Sequence, residues 1–206
     1  MNKRLDGFLK RTFDIITSLL GLVLFGPLIF FLIIFIKLDS PGPAFYRGER
    51  VGRFGKTFRI FKFRTMVVDA EKFGGPSTAS DDPRITRVGK FLRKYKLDEL
   101  PQLVNVLKGE MSIVGPRPEV LMEVETYTNE ERRILEVRPG ITDWASLTFH
   151  NEGEILRGSP DPHQAYREKI KPEKMRLALK YIDERSFLTD IKIILETILT
   201  LVKTRA

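Results

Sequence analysis

Residues 15–36 read IITSLLGLVLFGPLIFFLIIFI, twenty-two positions with no charged side chain. Wound as one α-helix at about 1.5 Å per residue, the run extends about 33 Å, which matches the roughly 30 Å of a bilayer's hydrocarbon core. Thr17 and Ser18 do not count against insertion, because their hydroxyls can return hydrogen bonds to the helix backbone. A cleavable leader is disfavoured. Lys3, Arg4, Lys10 and Arg11 resemble a basic n-region, but the apolar run is long and no small-residue cleavage pattern follows it.

Gly26-Pro27 stands almost midway along the run. Proline lacks an N–H and its ring clashes with the preceding turn, so a re-entrant helix-break-helix is expected, with the break at these two residues. Basic residues flank both ends: the N-terminal group, then Lys37, Arg47, Arg50, Arg53, Lys56, Arg59, Lys62 and Arg64. Basic flanks prefer the cytoplasmic side of a membrane, so both ends belong there. A single span kinked at proline is the alternative, because a soluble domain can be basic for the sake of its own ligand. Residues 187–202, FLTDIKIILETILTLV, mix large apolar side chains with Asp190, Lys192 and Glu196. This pattern suits either an amphipathic helix at the lipid interface or a packed core helix.

Composition narrows the chemistry. The 206 residues suffice for one domain with a core, or a smaller domain plus a membrane element. No cysteine is present, which removes disulfides, thiolate catalysis and Cys-containing metal sites. Two histidines, His150 and His163, cannot build a His-rich metal centre, so any metal is expected to be Mg²⁺ or Mn²⁺ on carboxylates and phosphates. The formal charge of +8 suits an anionic partner, whether nucleic acid, acidic lipid or phosphorylated substrate.

The organisation reads as a membrane element over residues 1–38 and a soluble part over 39–206, divided by the breaker run Asp39-Ser40-Pro41-Gly42-Pro43. Residues 44–46 and 58–63 read as short strands of a hairpin, with a turn-prone stretch at 51–56. A loop is expected over 72–83. Helices are expected over 87–94, from about Asp98 to Gly109, over 119–137 and over 172–185, with breaks at Gly115-Pro116-Arg117-Pro118 and Arg138-Pro139-Gly140. Residues 149–153 and 158–162 read as an adaptable loop. The regular strand–helix alternation of a doubly wound nucleotide-binding fold is missing.

Asp98-Glu99 lies amid Arg93, Lys94 and Lys96, with Arg117 downstream. A carboxylate can serve as a nucleophile, while arginines, a divalent cation and the backbone donors of a helix start hold phosphate oxygens. The plain alternative is that Asp98 caps the helix that follows it.

Several ordered segments carry a more specific signal. They are Lys62-Phe63-Arg64-Thr65-Met66, Leu97-Asp98-Glu99-Leu100-Pro101-Gln102, Gly109-Glu110-Met111-Ser112 leading into Val114-Gly115-Pro116-Arg117-Pro118, and Arg138-Pro139-Gly140-Ile141-Thr142. In this order they resemble the bacterial sugar transferases, the small monotopic phosphoglycosyl transferases that include undecaprenyl-phosphate sugar phosphotransferases. The resemblance covers nearly the whole chain. It implies an α+β, mostly helical monotopic membrane protein with a re-entrant helix, a small β-hairpin and interfacial helices. It implies Asp98 as nucleophile, Glu99 as the adjacent carboxylate that binds Mg²⁺, and Arg93, Arg117, Lys62 and Arg64 as holders of substrate phosphates.

The implied reaction moves a phosphosugar from a UDP-sugar to undecaprenyl phosphate through an aspartyl-linked phosphosugar, at the cytoplasmic face of the bacterial inner membrane. The chain departs from many such relatives at Asp143-Trp144-Ala145-Ser146, where Gly-Trp-Ala-Gln is common, so Asp143 and Ser146 mark a region where donor specificity can differ. Two other classes remain: a noncatalytic membrane scaffold, and a nucleic-acid binder, which is not expected because no nucleic-acid module accompanies the basic residues. The donor sugar and any homo-oligomer are left open.

Overall fold

The computed structural model describes residues 3–203, and within them the side chains of residues 3–5, 201 and 203 are outside the description, Lys3 and Arg4 included. The chain opens with helix α1 (Lys3–Asp39), which runs through Gly26-Pro27 without interruption. The expected break is therefore corrected to one continuous helix of 37 residues, about 55 Å if straight. Pro27 withdraws one donor, at roughly 3 kcal/mol. Ending the helix amid apolar surroundings would strand several backbone groups at once. The Thr17 hydroxyl donates to the Phe13 carbonyl one turn back.

Both ends of α1 are tied to the rest of the chain. Near its start, Lys10 Nζ donates to the Val114 carbonyl at 2.9 Å, and Arg11 donates to the carbonyls of Val106 and Leu107 at 2.7 and 3.0 Å. Buried Asp14 accepts from Ser112 Oγ and the Ile113 amide. At the far end, Leu32 and Ile36 pack with Ala44, Phe63 and Leu92, and Asp39 accepts from the Val88 amide at 3.0 Å. Between these anchorages the outward face is bare and apolar, with Leu20, Val23, Leu24, Phe30 and Phe31 all exposed, Val23 to 78%.

A narrow antiparallel ribbon follows. Strand β1 (Phe45–Tyr46) pairs with β4 (Lys62–Phe63), and β2 (Glu49–Val51) pairs with β3 (Thr57–Arg59). Both pairings keep one register, so this is the expected hairpin extended by a strand that the glycines at 52 and 55 obscured. Helix α2 (Arg87–Lys94) has the expected bounds, with Thr86 accepting from the Gly89 amide as its cap. Helix α3 is shorter than expected (Gln102–Lys108), because a separate 3₁₀ turn at Leu97–Glu99 precedes it.

Strand β5 (Ser112–Val114) and strand β6 (Gly140–Thr142) pair in parallel, a contact the sequence reading missed. The helix expected over 119–137 is also corrected. Helix α4 covers only Leu121–Glu125, and a 3₁₀ segment occupies Glu131–Glu136. The interruption has a local cause: the Thr128 amide donates to the Glu131 carboxylate while the Glu131 amide donates to Thr128 Oγ1, a reciprocal cap that starts a new turn.

Helices α5 (Trp144–Thr148), α6 (Glu152–Ile155) and α7 (Pro162–Lys169) lie in and around the loop expected at 149–153 and 158–162, in a stretch where no helix was expected. Helix α8 (Lys171–Glu184) is the expected one, and α9 (Phe187–Lys203) closes the described chain. The main core joins Val114, Tyr181, Ile182 and Ile193, which fastens α8 and α9 to β5. Among the described residues the fold is thus mostly helical, with one long apolar N-terminal helix and three two-stranded sheets.

Candidate active site

Three segments distant in sequence converge on one carboxylate. Lys62 comes from β4, whose alternation buries Phe63 in the core and turns Lys62 the other way. Glu99 ends the 3₁₀ turn, and Arg117 follows β5 across the Gly115-Pro116 corner. Lys62 Nζ lies 2.8 Å from Glu99 Oε1, and Arg117 Nη2 lies 2.5 Å from the same oxygen, with Arg117 Nη1 3.4 Å from Oε2. Burial pushes the Glu99 carboxyl up, but the Arg117 and Lys62 charges outweigh it and hold the group well below the usual carboxylate range. Glu99 is ionised.

Asp98 sits in the same turn and behaves differently. It is buried, and its Oδ1 has no hydrogen-bond partner. Burial raises its carboxyl above the ordinary value; Lys62 opposes that rise and Glu99 adds to it. The expectation that Asp98 caps the following helix is corrected, since α3 begins after Pro101 with no side-chain cap. A buried carboxylate oxygen left unpaired is unusual and calls for a reason.

The surrounding scaffold explains how these groups hold position. Lys96, in the left-handed region at φ 55°, reverses the chain out of α2 into the 3₁₀ turn. Arg93 of α2 donates from Nε to Thr65 Oγ1 at 2.8 Å, and burial lowers its pKa while the Asp98 charge opposes that. The helix comes this close because residue 89 is glycine: a Cβ there would lie 2.0 Å from the Thr65 carbonyl oxygen. Asn105 is a residue the sequence reading passed over. Fully buried, it accepts from the Phe61 amide at 2.7 Å and donates to the Arg59 carbonyl at 3.0 Å and to Glu110 Oε2 at 2.7 Å. It bolts the ribbon carrying Lys62 to the helix that follows Asp98. An asparagine inside an apolar helical run, VNV, was the available signal.

Not every expected site residue joins the carboxylates. Arg64 is buried with its guanidinium donating to the carbonyls of Pro41 and, at 2.7 Å, Ser40, so it clasps the segment leaving α1. Asp143 caps α5 by accepting from the Ser146 amide at 2.7 Å, and burial raises its carboxyl while Arg117 opposes that rise. Asp143 and Arg117 line one cleft together with Glu119, Tyr127 and Lys174. Among the described residues no cluster of three or more Asp, Glu or His gathers to hold a metal on its own. Within this site the neighbouring hard oxygen donors are those of Asp98 and Glu99.

The profile of a family described as "Bacterial sugar transferase" matches residues 5–204. The chain belongs to this family. It is 39% identical over 199 residues to the UDP-N-acetylgalactosamine-undecaprenyl-phosphate N-acetylgalactosaminephosphotransferase of Aeromonas hydrophila, covering 94% of this chain and 44% of that protein. It is 40% identical over 200 residues to galactosyl transferase CpsE of Streptococcus agalactiae, covering 92% of this chain and 41% of that one. With the exopolysaccharide production protein PSS of Rhizobium leguminosarum it shares 37% over 203 residues, covering 95% and 96% of the two chains. The chain therefore spans less than half the length of the first two relatives and nearly all of the third. The bacterial sugar transferase match takes in α1, the carboxylate turn and the Arg117 corner alike.

Proposed function

We propose that this chain transfers a sugar 1-phosphate from a UDP-sugar to undecaprenyl phosphate, releasing UMP and beginning the assembly of a bacterial glycoconjugate. The observation that carries this reading is the pairing of two unlike neighbours: Asp98, buried with an unpartnered oxygen, beside Glu99, held ionised by Lys62 and Arg117. Relatives named for transfer to undecaprenyl phosphate support the acceptor.

In the first step an Asp98 oxygen attacks the sugar-linked phosphorus. The bond from that phosphorus to the bridging oxygen breaks, and its electron pair leaves with UMP. In the second step an oxygen of undecaprenyl phosphate attacks the same phosphorus, and the bond to Asp98 breaks, restoring the carboxylate and releasing undecaprenyl-diphosphate-sugar. Asp98 needs no general base, since it reacts ionised. Arg93, Lys62 and Arg117 neutralise the phosphoryl oxygens as charge develops on them. Glu99 keeps Lys62 and Arg117 in place. The carboxylate oxygens of Asp98 and Glu99 would hold Mg²⁺. When bound, Mg²⁺ would supply positive charge to the diphosphate and to departing UMP.

The membrane arrangement follows from α1, which is long and apolar enough to cross a bilayer. Its first turns and its last turns touch the same soluble body, through Lys10, Arg11 and Asp14 at one end and Ile36 and Asp39 at the other. A helix crossing the bilayer would carry one end away from that body. We therefore favour an α1 that stays helical but bends at Pro27, dipping into the bilayer and leaving again on the cytoplasmic side of the inner membrane. The exposed Leu188, Leu195, Leu199 and Val202 of α9 give it an apolar side suited to the interface. Such placement lets the prenyl chain stay in lipid; extraction would cost roughly 0.8 kcal/mol per methylene exposed.

The test is detergent-purified protein with Mg²⁺, undecaprenyl phosphate and a panel of UDP-sugars. UMP release and a lipid-linked sugar are expected with one or more donors, and a phosphosugar adduct should map to Asp98 by mass spectrometry. Normal turnover by Asp98→Asn would exclude the covalent route. A scaffold would bind partners without releasing UMP. Single cysteines introduced beyond each end of α1 should label from the same side; labelling from opposite sides would establish a span.

A further inference from the structure

The segment that carries the two carboxylates ends in Gln102, a residue without a part in the chemistry above. Gln102 is only 1% exposed, and its Nε2 has no hydrogen-bond partner. Asn105, one turn further along α3, shows what a structural buried amide looks like in this fold: its side chain is bonded to Phe61, Arg59 and Glu110. Gln102 is buried as deeply and bonded to nothing through its amide nitrogen. An unpaired buried donor is a standing penalty in the resting protein, and beside a reacting carboxylate it calls for a reason.

A complementary atom lies one turn away. Asp98 Oδ1 is buried without a donor. Leu100 (φ −51°, ψ −41°) and Pro101 (φ −63°, ψ −15°) keep the chain in right-handed helical conformation between the 3₁₀ turn and α3. The Leu100 amide donates to the Leu97 carbonyl and the Leu103 amide to the Leu100 carbonyl, so the run is wound tightly and Gln102 follows Asp98 by little more than one turn. A donor and an acceptor, each buried and each unmatched, belong to the same short turn-and-helix segment.

We propose that Gln102 is a positioning residue for the transfer step: its amide N–H donates to one oxygen of Asp98 as the other oxygen bonds to phosphorus. Ordinary rotamer freedom would let a carboxylate present either oxygen at varied angles. A donor fixed by the helix selects one, and it then holds the carbonyl oxygen of the aspartyl phosphate. This inference rests on Asp98 being the nucleophile.

The experiment compares Gln102→Met and Gln102→Leu with the wild type and with Asp98→Asn, using UMP release and thermal unfolding. Both Gln102 variants replace an unmatched polar group by an apolar one of similar size. The thermal midpoint should stay level or rise, KM for the UDP-sugar should be nearly unchanged, and kcat should fall about 100-fold, the effect of a misaligned reacting group. Wild-type kcat in both variants overturns the proposal. A lowered midpoint in both variants, folded or not, also overturns it, since that is the mark of a structural amide. If Asp98→Asn turns over normally, the nucleophile reading fails and this inference with it. If Asp98→Asn is dead while Gln102→Met works, only the positioning role falls.

Discussion

Replacing Gly140 by alanine tests the geometry that delivers Arg117 to Glu99. A Cβ on residue 140 would lie 2.1 Å from the Gly115 nitrogen, 2.4 Å from its oxygen and 2.7 Å from its Cα. Atoms of this kind rest at about 3.5 Å or more, so the two backbones must part by more than ~1 Å. Three hydrogen bonds sit at this seam: Ser112 to the Pro139 carbonyl at 2.8 Å, Gly140 to Pro116 at 2.9 Å, and Gly115 to Thr142 at 3.0 Å. At about 1 kcal/mol each, their loss destabilises the fold by roughly 3 kcal/mol. Arg117 lies two residues past Gly115, so the same displacement moves its guanidinium. A 1 Å misplacement near the reacting centre costs about 100-fold in rate. Urea unfolding in detergent measures the first effect, and UMP release from folded protein measures the second. Gly7→Ala is the control, since nothing lies within 4 Å of a Cβ there. If Gly140→Ala matches wild type in midpoint and rate, the close β5–β6 approach is not what positions Arg117.

Three further outcomes follow from buried polar groups. Asp98→Asn should be inactive yet more stable than wild type at neutral pH. Burial raises the Asp98 carboxyl in the folded state, so folding disfavours its ionisation and the wild type loses stability as pH climbs through that raised value. The gap between the two proteins should close in acid, as urea midpoints across pH will report. Glu123 has the opposite sign: burial pushes its carboxyl up, but bonds from Lys171 and Arg167 hold it below the usual range. Its contribution is complete above the ordinary carboxylate value and fades as pH falls through the lowered one, so Glu123→Gln should lower the urea midpoint at pH 7 and change it little in strong acid. Asn105→Leu should destabilise by about 2 kcal/mol through the Phe61 and Arg59 groups it leaves unbonded, and it should lower turnover by loosening Lys62. An unchanged unfolding midpoint would show that the ribbon is held some other way.

Patterns with short range were legible in the chain itself. Arg87–Lys94 and Lys171–Glu184 emerged nearly to the residue, because the features that start them, the Thr86 cap of one and Pro172 in the first turn of the other, act within a few positions. Thr128 and Glu131 were equally local, yet their reciprocal cap was overlooked inside a run that reads as helix. The short helices after Asp143 were hidden because four or five residues carry too little periodicity to announce themselves.

The sequence by itself determined that an apolar segment precedes a basic, cysteine-free domain, and that two adjacent carboxylates stand among cations in an order shared with bacterial sugar transferases. Residue type and spacing suffice for that, since they are properties of the chain. Only the tertiary structure decided that Glu99, and not Asp98, takes the Lys62 and Arg117 charges, that Arg64 is spent on Ser40 and Pro41, and that Gln102 is left unmatched. Those outcomes depend on which side chains meet across 18 to 37 positions of intervening chain, and on burial, which sets how strongly each charge is felt.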